Sequence, residues 1–226
     1  MHPCLPPRLF AVSLIRLHTL VSGNVCGGFA ADIHNDTMQP LDSAPLDSVP
    51  FVAVLILHGL LAGVDVLLNH ELLARLPHRP DAAREELLHA AREAIFAVVF
   101  LGLAWWTWHG ALAWALAALL LAEVLISTVD VKIEGDTRVL PVPERILHVI
   151  LFINLGALIV LLGRQAIGWH ALPTGLASVQ YGWASWLLTV LGIGAAAWAV
   201  RDGLAWRRLA GAIDARAHDC NKYTNQ

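Results

Sequence analysis

The feature that most constrains this chain is a series of apolar stretches, each long enough to cross a lipid bilayer. A helix through hydrocarbon needs about 20 mostly apolar residues, and the windows 50–69, 94–108 with its preceding turns, 110–131 and 146–162 reach that length. A fifth window, 175–200, is rich in Ala, Gly and Trp and also qualifies. Composition agrees, because 57% of the 226 residues are hydrophobic and 15% charged, against roughly 45–50% and 25% in soluble domains. A water-facing domain of this length needs more polar surface, so the lipid bilayer is the expected partner. The formal charge is -3 and the basic residues are scattered between the windows, so no basic face is present and no nucleic acid is expected. Cys4, Cys26 and Cys220 lie near the termini in no metal-like spacing, and an odd count makes no closed disulfide framework.

The organisation expected is all-α: an integral membrane helical bundle, with a four-helix, polar-cored, antiparallel bundle plus a fifth span. Residues 1–30 combine a basic residue, an apolar stretch and small residues, which reads as a signal peptide or a sixth, N-terminal span, with a mis-assigned start as the alternative. Residues 31–50 are polar and rich in Pro and Asp-Ser pairs, as an extramembrane linker is. Residues 51–200 form the transmembrane domain and 201–226 a cytoplasmic tail. Lys and Arg set the orientation. Arg75, Arg79, Arg84, Lys132, Arg138 and the cations of the tail fall on one side, while the opposite turns hold only Arg164. The first side is therefore expected to be cytoplasmic, as in a bacterial inner membrane protein. Trp105, Trp106, Trp108, Trp114, Trp169, Trp183 and Trp186 gather near the opposite turns, as an interfacial aromatic belt does.

Inside these apolar windows stand residues that are expensive there. An ionisable side chain at mid-membrane costs roughly 2.5–3.5 kcal/mol on insertion scales, so each needs a partner or a task. The first four helices each carry a pair: His58 and Asp65, His89 and Glu93, Glu123 and Asp130, Glu144 and His148. Separations of four and seven place both members of a pair on one helix face. Counting inward at about 1.5 Å per residue, all eight fall in the cytoplasmic half, while the outer halves are nearly free of charge. His70 and Glu71 turn away from the His58 stripe by the same count and read as a solvated loop; Arg92 reads as snorkelling or paired with an acid.

Imidazoles and carboxylates are the ligands of iron, manganese or zinc, and eight inward groups exceed what one divalent ion takes. The expected cofactor is two metal ions, iron first, with Mn or Zn as alternatives. In plan the stretch from about 50 to 162 resembles the four-helix carboxylate bundles of di-iron and di-manganese proteins, where acids and Glu-x-x-His pairs converge on two ions. The resemblance is architectural. Glu144-Arg-Ile-Leu-His148 has one residue more than that motif, and His89-Ala-Ala-Arg-Glu93 runs in reverse; the His boxes of membrane desaturases are absent. The function this implies is a membrane-embedded di-metal oxidoreductase acting on a lipid-soluble substrate, with an electron donor as partner. The alternatives are a proton or divalent-cation transporter or channel, a b-type haem cytochrome and a structural subunit. No nucleotide-binding glycine loop or nucleophile elbow is present.

Overall fold

The computed structural model describes residues 49–224, so segment 1–30 and nearly all of 31–50 lie outside the described residues. Helix α1 (Pro50–Asp65) opens on a proline, whose fixed φ suits a first turn, and runs without interruption into a π-helical segment, Val66–Ala74. That segment stops at Arg75, which has a left-handed backbone (φ 51°). Two single 3₁₀ turns, Leu76–His78 and Pro80–Ala82, lead to α2 (Ala83–Trp105). Strand β1 (Trp106–His109), α3 (Ala111–Thr137), α4 (Val142–His170), β2 (Gly175–Ser178) and α5 (Trp183–Thr224) follow.

Five helical stretches, Pro50–His78, Pro80–Trp105, Ala111–Thr137, Val142–His170 and Trp183–Ile213, are long and apolar enough to cross a membrane. They extend beyond the windows that hydropathy alone marks. Helix α3 continues past residue 131 to Thr137, and α5 continues past residue 200 with no break. The reason is chemical: charged residues such as Glu134 and Arg201 lower hydropathy without impairing helix formation, since Glu and Arg are good helix formers.

Helix α2 packs along α5, α1 against α4, and α3 against both α2 and α4. The shared core is built from Phe51 and Leu55 of α1, Val99 and Leu103 of α2, Leu116 of α3, Leu158 of α4 and Leu188 of α5. Large apolar side chains also cover the outside, among them Leu60, Leu121, Leu125, Ile153, Val160 and Ile193, while most acidic residues of α1 to α4 point inward. At one end the β1 and β2 segments pair as an antiparallel ribbon in the register Trp106↔Ser178 to His109↔Gly175. Gly110 closes this ribbon with φ 58°. A Cβ there would lie 2.6 Å from the Thr174 Cα, so both the backbone conformation and the close approach demand glycine.

Candidate metal centre

At the other end, each of α1 to α4 delivers two ligand-type side chains to one place. Asp65 closes α1 and His70 sits in its π-helical continuation; Glu85 and His89 lie in the first turns of α2; Asp130 and Glu134 lie in the last turns of α3; Glu144 and His148 open α4. On α2, α3 and α4 the separation is four, which stacks the pair on one face. On α1 it is five, and the backbone changes accordingly. A π-helix bonds i→i+5, so its wider turn brings His70 back over Asp65 where an α-helix would have carried it aside.

Two sets of ligand atoms converge. One atom from each of His70, Glu134, Glu144 and His148 lies within 4.8 Å of the others, and the same holds for Glu85, His89 and Glu134. Glu134 belongs to both. His70 Nε2 stands 3.6 Å from Asp65 Oδ2 and 3.7 Å from Glu144 Oε1; His89 Nε2 is 3.2 Å from Asp130 Oδ2; His148 Nδ1 is 3.6 Å from Glu134 Oε2. Donors bound at about 2.0–2.2 Å to one ion, tetrahedrally disposed, lie about 3.4 Å apart. The pairs therefore have the spacing of co-ligands. His70 Nε2 and Asp130 Oδ1 are buried without a hydrogen-bond partner, which is uncommon for buried polar atoms. The groups have the geometry to hold a metal ion.

Two arginines complete the network. Arg92 donates through Nε to Glu123 and through Nη1 to Asp130, both at 3.0 Å. Arg138, in the α3–α4 connection, donates to Glu144 at 2.6 Å and to Glu85 at 2.8 Å. Burial works against the Arg138 charge, but its bonds to Glu144 and Glu85 outweigh that and hold its pKa above the ordinary arginine value. The network thus joins six buried carboxylates (Asp65, Glu85, Glu123, Asp130, Glu134 and Glu144) to two guanidiniums. Were all six ionised, four negative charges would be left over, the charge of two divalent ions. Histidine protonation cannot fully replace them. The Nδ1 atoms of His70 and His89 face each other at 3.0 Å with stacked rings, so only one of the two can carry a proton there.

Of the eight residues marked by sequence, Asp65, His89, Asp130, Glu144 and His148 meet in this network, and Glu123 joins it through Arg92. His58 stands deeper, where Asn154 Nδ2 donates to its Nδ1 at 3.2 Å. Glu93 lies outside both ligand sets among the described residues, with neither carboxylate oxygen hydrogen-bonded. Reasoning from sequence passed over Glu85, Glu134 and His70. Glu85 carried a readable signal, since Glu85-x-x-x-His89 repeats the spacing of Glu144-x-x-x-His148. His70 was expected in a solvated loop; it is buried at 6% exposure, because the π-helical turn reverses the α-helical angle count.

A cavity of about 320 Å³ adjoins this centre, with Asp65, His70 and His89 on one wall and apolar side chains of α1, α2 and α5 on the others. Comparison with protein-family models, with curated proteins and with solved structures finds no match.

Proposed function

We propose that this chain is an integral membrane protein that holds two metal ions, iron first, between α1, α2, α3 and α4, and that it is an oxidoreductase acting on a lipid-soluble substrate. The observation that carries the two-metal reading is Glu134, whose carboxylate reaches both ligand sets, as a bridging ligand of a two-metal site does. Asp65, His70, Glu144 and His148 would complete one side, and Glu85, His89 and Asp130 the other. Iron in such a ligand set supplies one-electron chemistry with oxygen. The chain's own residues do the rest. Arg92 and Arg138 orient four of the acids and offset part of their charge, and the surrounding Leu and Phe side chains exclude water. The adjoining cavity gives an apolar molecule a place beside the centre. An electron donor and a bacterial inner membrane, with the centre in the cytoplasmic half, belong to the same proposal; the cation-rich connections next to the centre support that orientation.

Metal analysis of the purified protein with an absorption spectrum tests this. The expected result is two irons per chain and no Soret band. A Soret band would replace the reading with haem, and a protein that binds no metal under any loading condition would overturn it in favour of transport or structure. A structural polar core is the second reading, favoured by the two arginines, which already pair with Glu85, Glu123, Asp130 and Glu144. It leaves the buried His70 Nε2 without a hydrogen-bond partner.

A further inference from the structure

The cavity beside the centre has its own architecture, in which glycines mark the closed end and the open side. A Cβ on Gly59 would lie 2.8 Å from Phe100 and 2.9 Å from Leu191, so α1 touches α2 and α5 there and seals the cavity. Gly63 and Gly194 also line it, yet a Cβ on either would meet nothing within 4 Å. Both are exposed, as are the lining residues Leu67 and Val190. The opening therefore lies between α1 and α5, on a flank covered by apolar side chains rather than at a polar end.

The walls specify what fits. Apart from the residues of the candidate centre, the polar groups lining the cavity are His58, Arg92, Glu93 and the buried, unpartnered indole N–H of Trp198. Arg92 is committed to Glu123 and Asp130. Both carboxylate oxygens of Glu93 are buried and unpartnered, so they call for a hydrogen-bond donor. His58 accepts from Asn154 at Nδ1, which leaves its Nε2–H as a donor. A hydroxyl group answers both needs, because it donates and accepts. A charged amine would lack the second capacity and a ketone the first. The remaining surface is apolar, largely aliphatic (Ala62, Val66, Leu67, Leu151, Val190 and Leu191), with one aromatic side where His58 stacks on Phe96 at 4.5 Å and Phe100 and Trp198 stand beside them. An apolar cavity of about 150 Å³ holds one benzene ring, so about 320 Å³ accommodates a substituted ring with the start of a tail.

We propose that this cavity binds a lipid-soluble phenol, with its ring among Phe96, Phe100 and Trp198, its hydroxyl on Glu93, and its apolar tail leaving between α1 and α5. The inference rests on the membrane reading given above and names the substrate class for it. The test uses the full-length protein in lipid nanodiscs and a brominated para-alkylphenol, whose bromine quenches tryptophan fluorescence. Saturable quenching is expected, and Trp198→Phe should remove much of its amplitude. The matched alkylbenzene, which lacks the hydroxyl, should bind roughly tenfold more weakly, and Glu93→Leu should erase that preference. Gly63→Leu and Gly194→Leu, which place a side chain in the opening and favour helix, should each block binding while leaving metal content unchanged. The proposal is overturned if the wild-type protein shows no saturable quenching, if the phenol and the alkylbenzene bind equally, or if both glycine variants bind as the wild type does. A straight-chain alcohol of equal carbon number binding as tightly as the phenol would overturn the ring assignment. Metal content is measured on the same samples. Metal-free protein that still binds the phenol would sink the two-metal reading alone, and metal-loaded protein that does not bind it would sink this one alone.

Discussion

At one end α1 to α4 meet through buried charge, and at the other the same four helices meet through almost none. The second end is closed by backbone and ring contacts. Val179 N–H donates to the Trp105 carbonyl and Gly110 N–H to the Trp169 carbonyl, both at 2.9 Å; Phe51 meets Trp169 edge to face at 6.0 Å; and Trp105 Nε1 donates to Thr189 Oγ1 at 2.9 Å. Holding these helices together therefore does not require carboxylates. Burying ion pairs is a weak way to gain stability, because desolvation offsets much of the attraction. The contrast teaches that the charged end carries a desolvation cost that holding the helices together does not explain, and that the ribbon end holds them without it.

The largest effect expected from this contrast is on Glu134. Glu134→Ala should lose both ions, a larger loss than the roughly 10–100-fold typical of an outer-shell partner, and metal analysis after dialysis checks it. Loss of a single ion would mean that the two sets do not share this carboxylate. Next is Arg138→Leu, which strands Glu85 and Glu144. It should destabilise the metal-free protein by about 3–5 kcal/mol, with a smaller loss when metal is loaded, because cations then take over part of the pairing. Denaturant titration with and without metal reads both values, and equal losses would favour a purely structural network.

The ribbon end should respond in the opposite way. Gly110→Ala forces a side chain into a left-handed backbone conformation against Thr174 and should cost about 1–3 kcal/mol, with metal content unchanged. A change in metal content would show that the two ends are coupled. The smallest effect is Trp105→Phe, which removes the hydrogen bond to Thr189 and should cost about 0.5–1.5 kcal/mol, read as a small decrease in thermal midpoint.

The helices were legible in the sequence because a lipid-facing helix must be apolar over its full length, and that pattern survives without any knowledge of packing. Their ends were less so. Glu134 and Glu85 sit where hydropathy falls, and a charged terminal turn reads like a loop until its neighbours are known. The pair Glu144 and His148 could be read from spacing alone, since α4 is regular there. The companionship of Asp65 and His70 could not, because it depends on a local change of helix type that no residue between them announces. The β ribbon was invisible for a related reason. Strands of four residues, Trp106–His109 and Gly175–Ser178, carry too little alternation to be noticed, and their pairing is fixed by the two helices that bring them side by side.

The π-helical turn after Asp65 also sets how this chain can change. Relative to an ordinary helix, an i→i+5 segment carries one residue in excess. Deleting a single residue between Asp65 and His70 would let the backbone relax into the commoner winding with better hydrogen bonds, and the separation of four that results would still stack the pair on one face. The surplus residue is thus absorbed by the winding itself, and Asp65 keeps His70 beside it either as five residues of a wide turn or as four of a regular one.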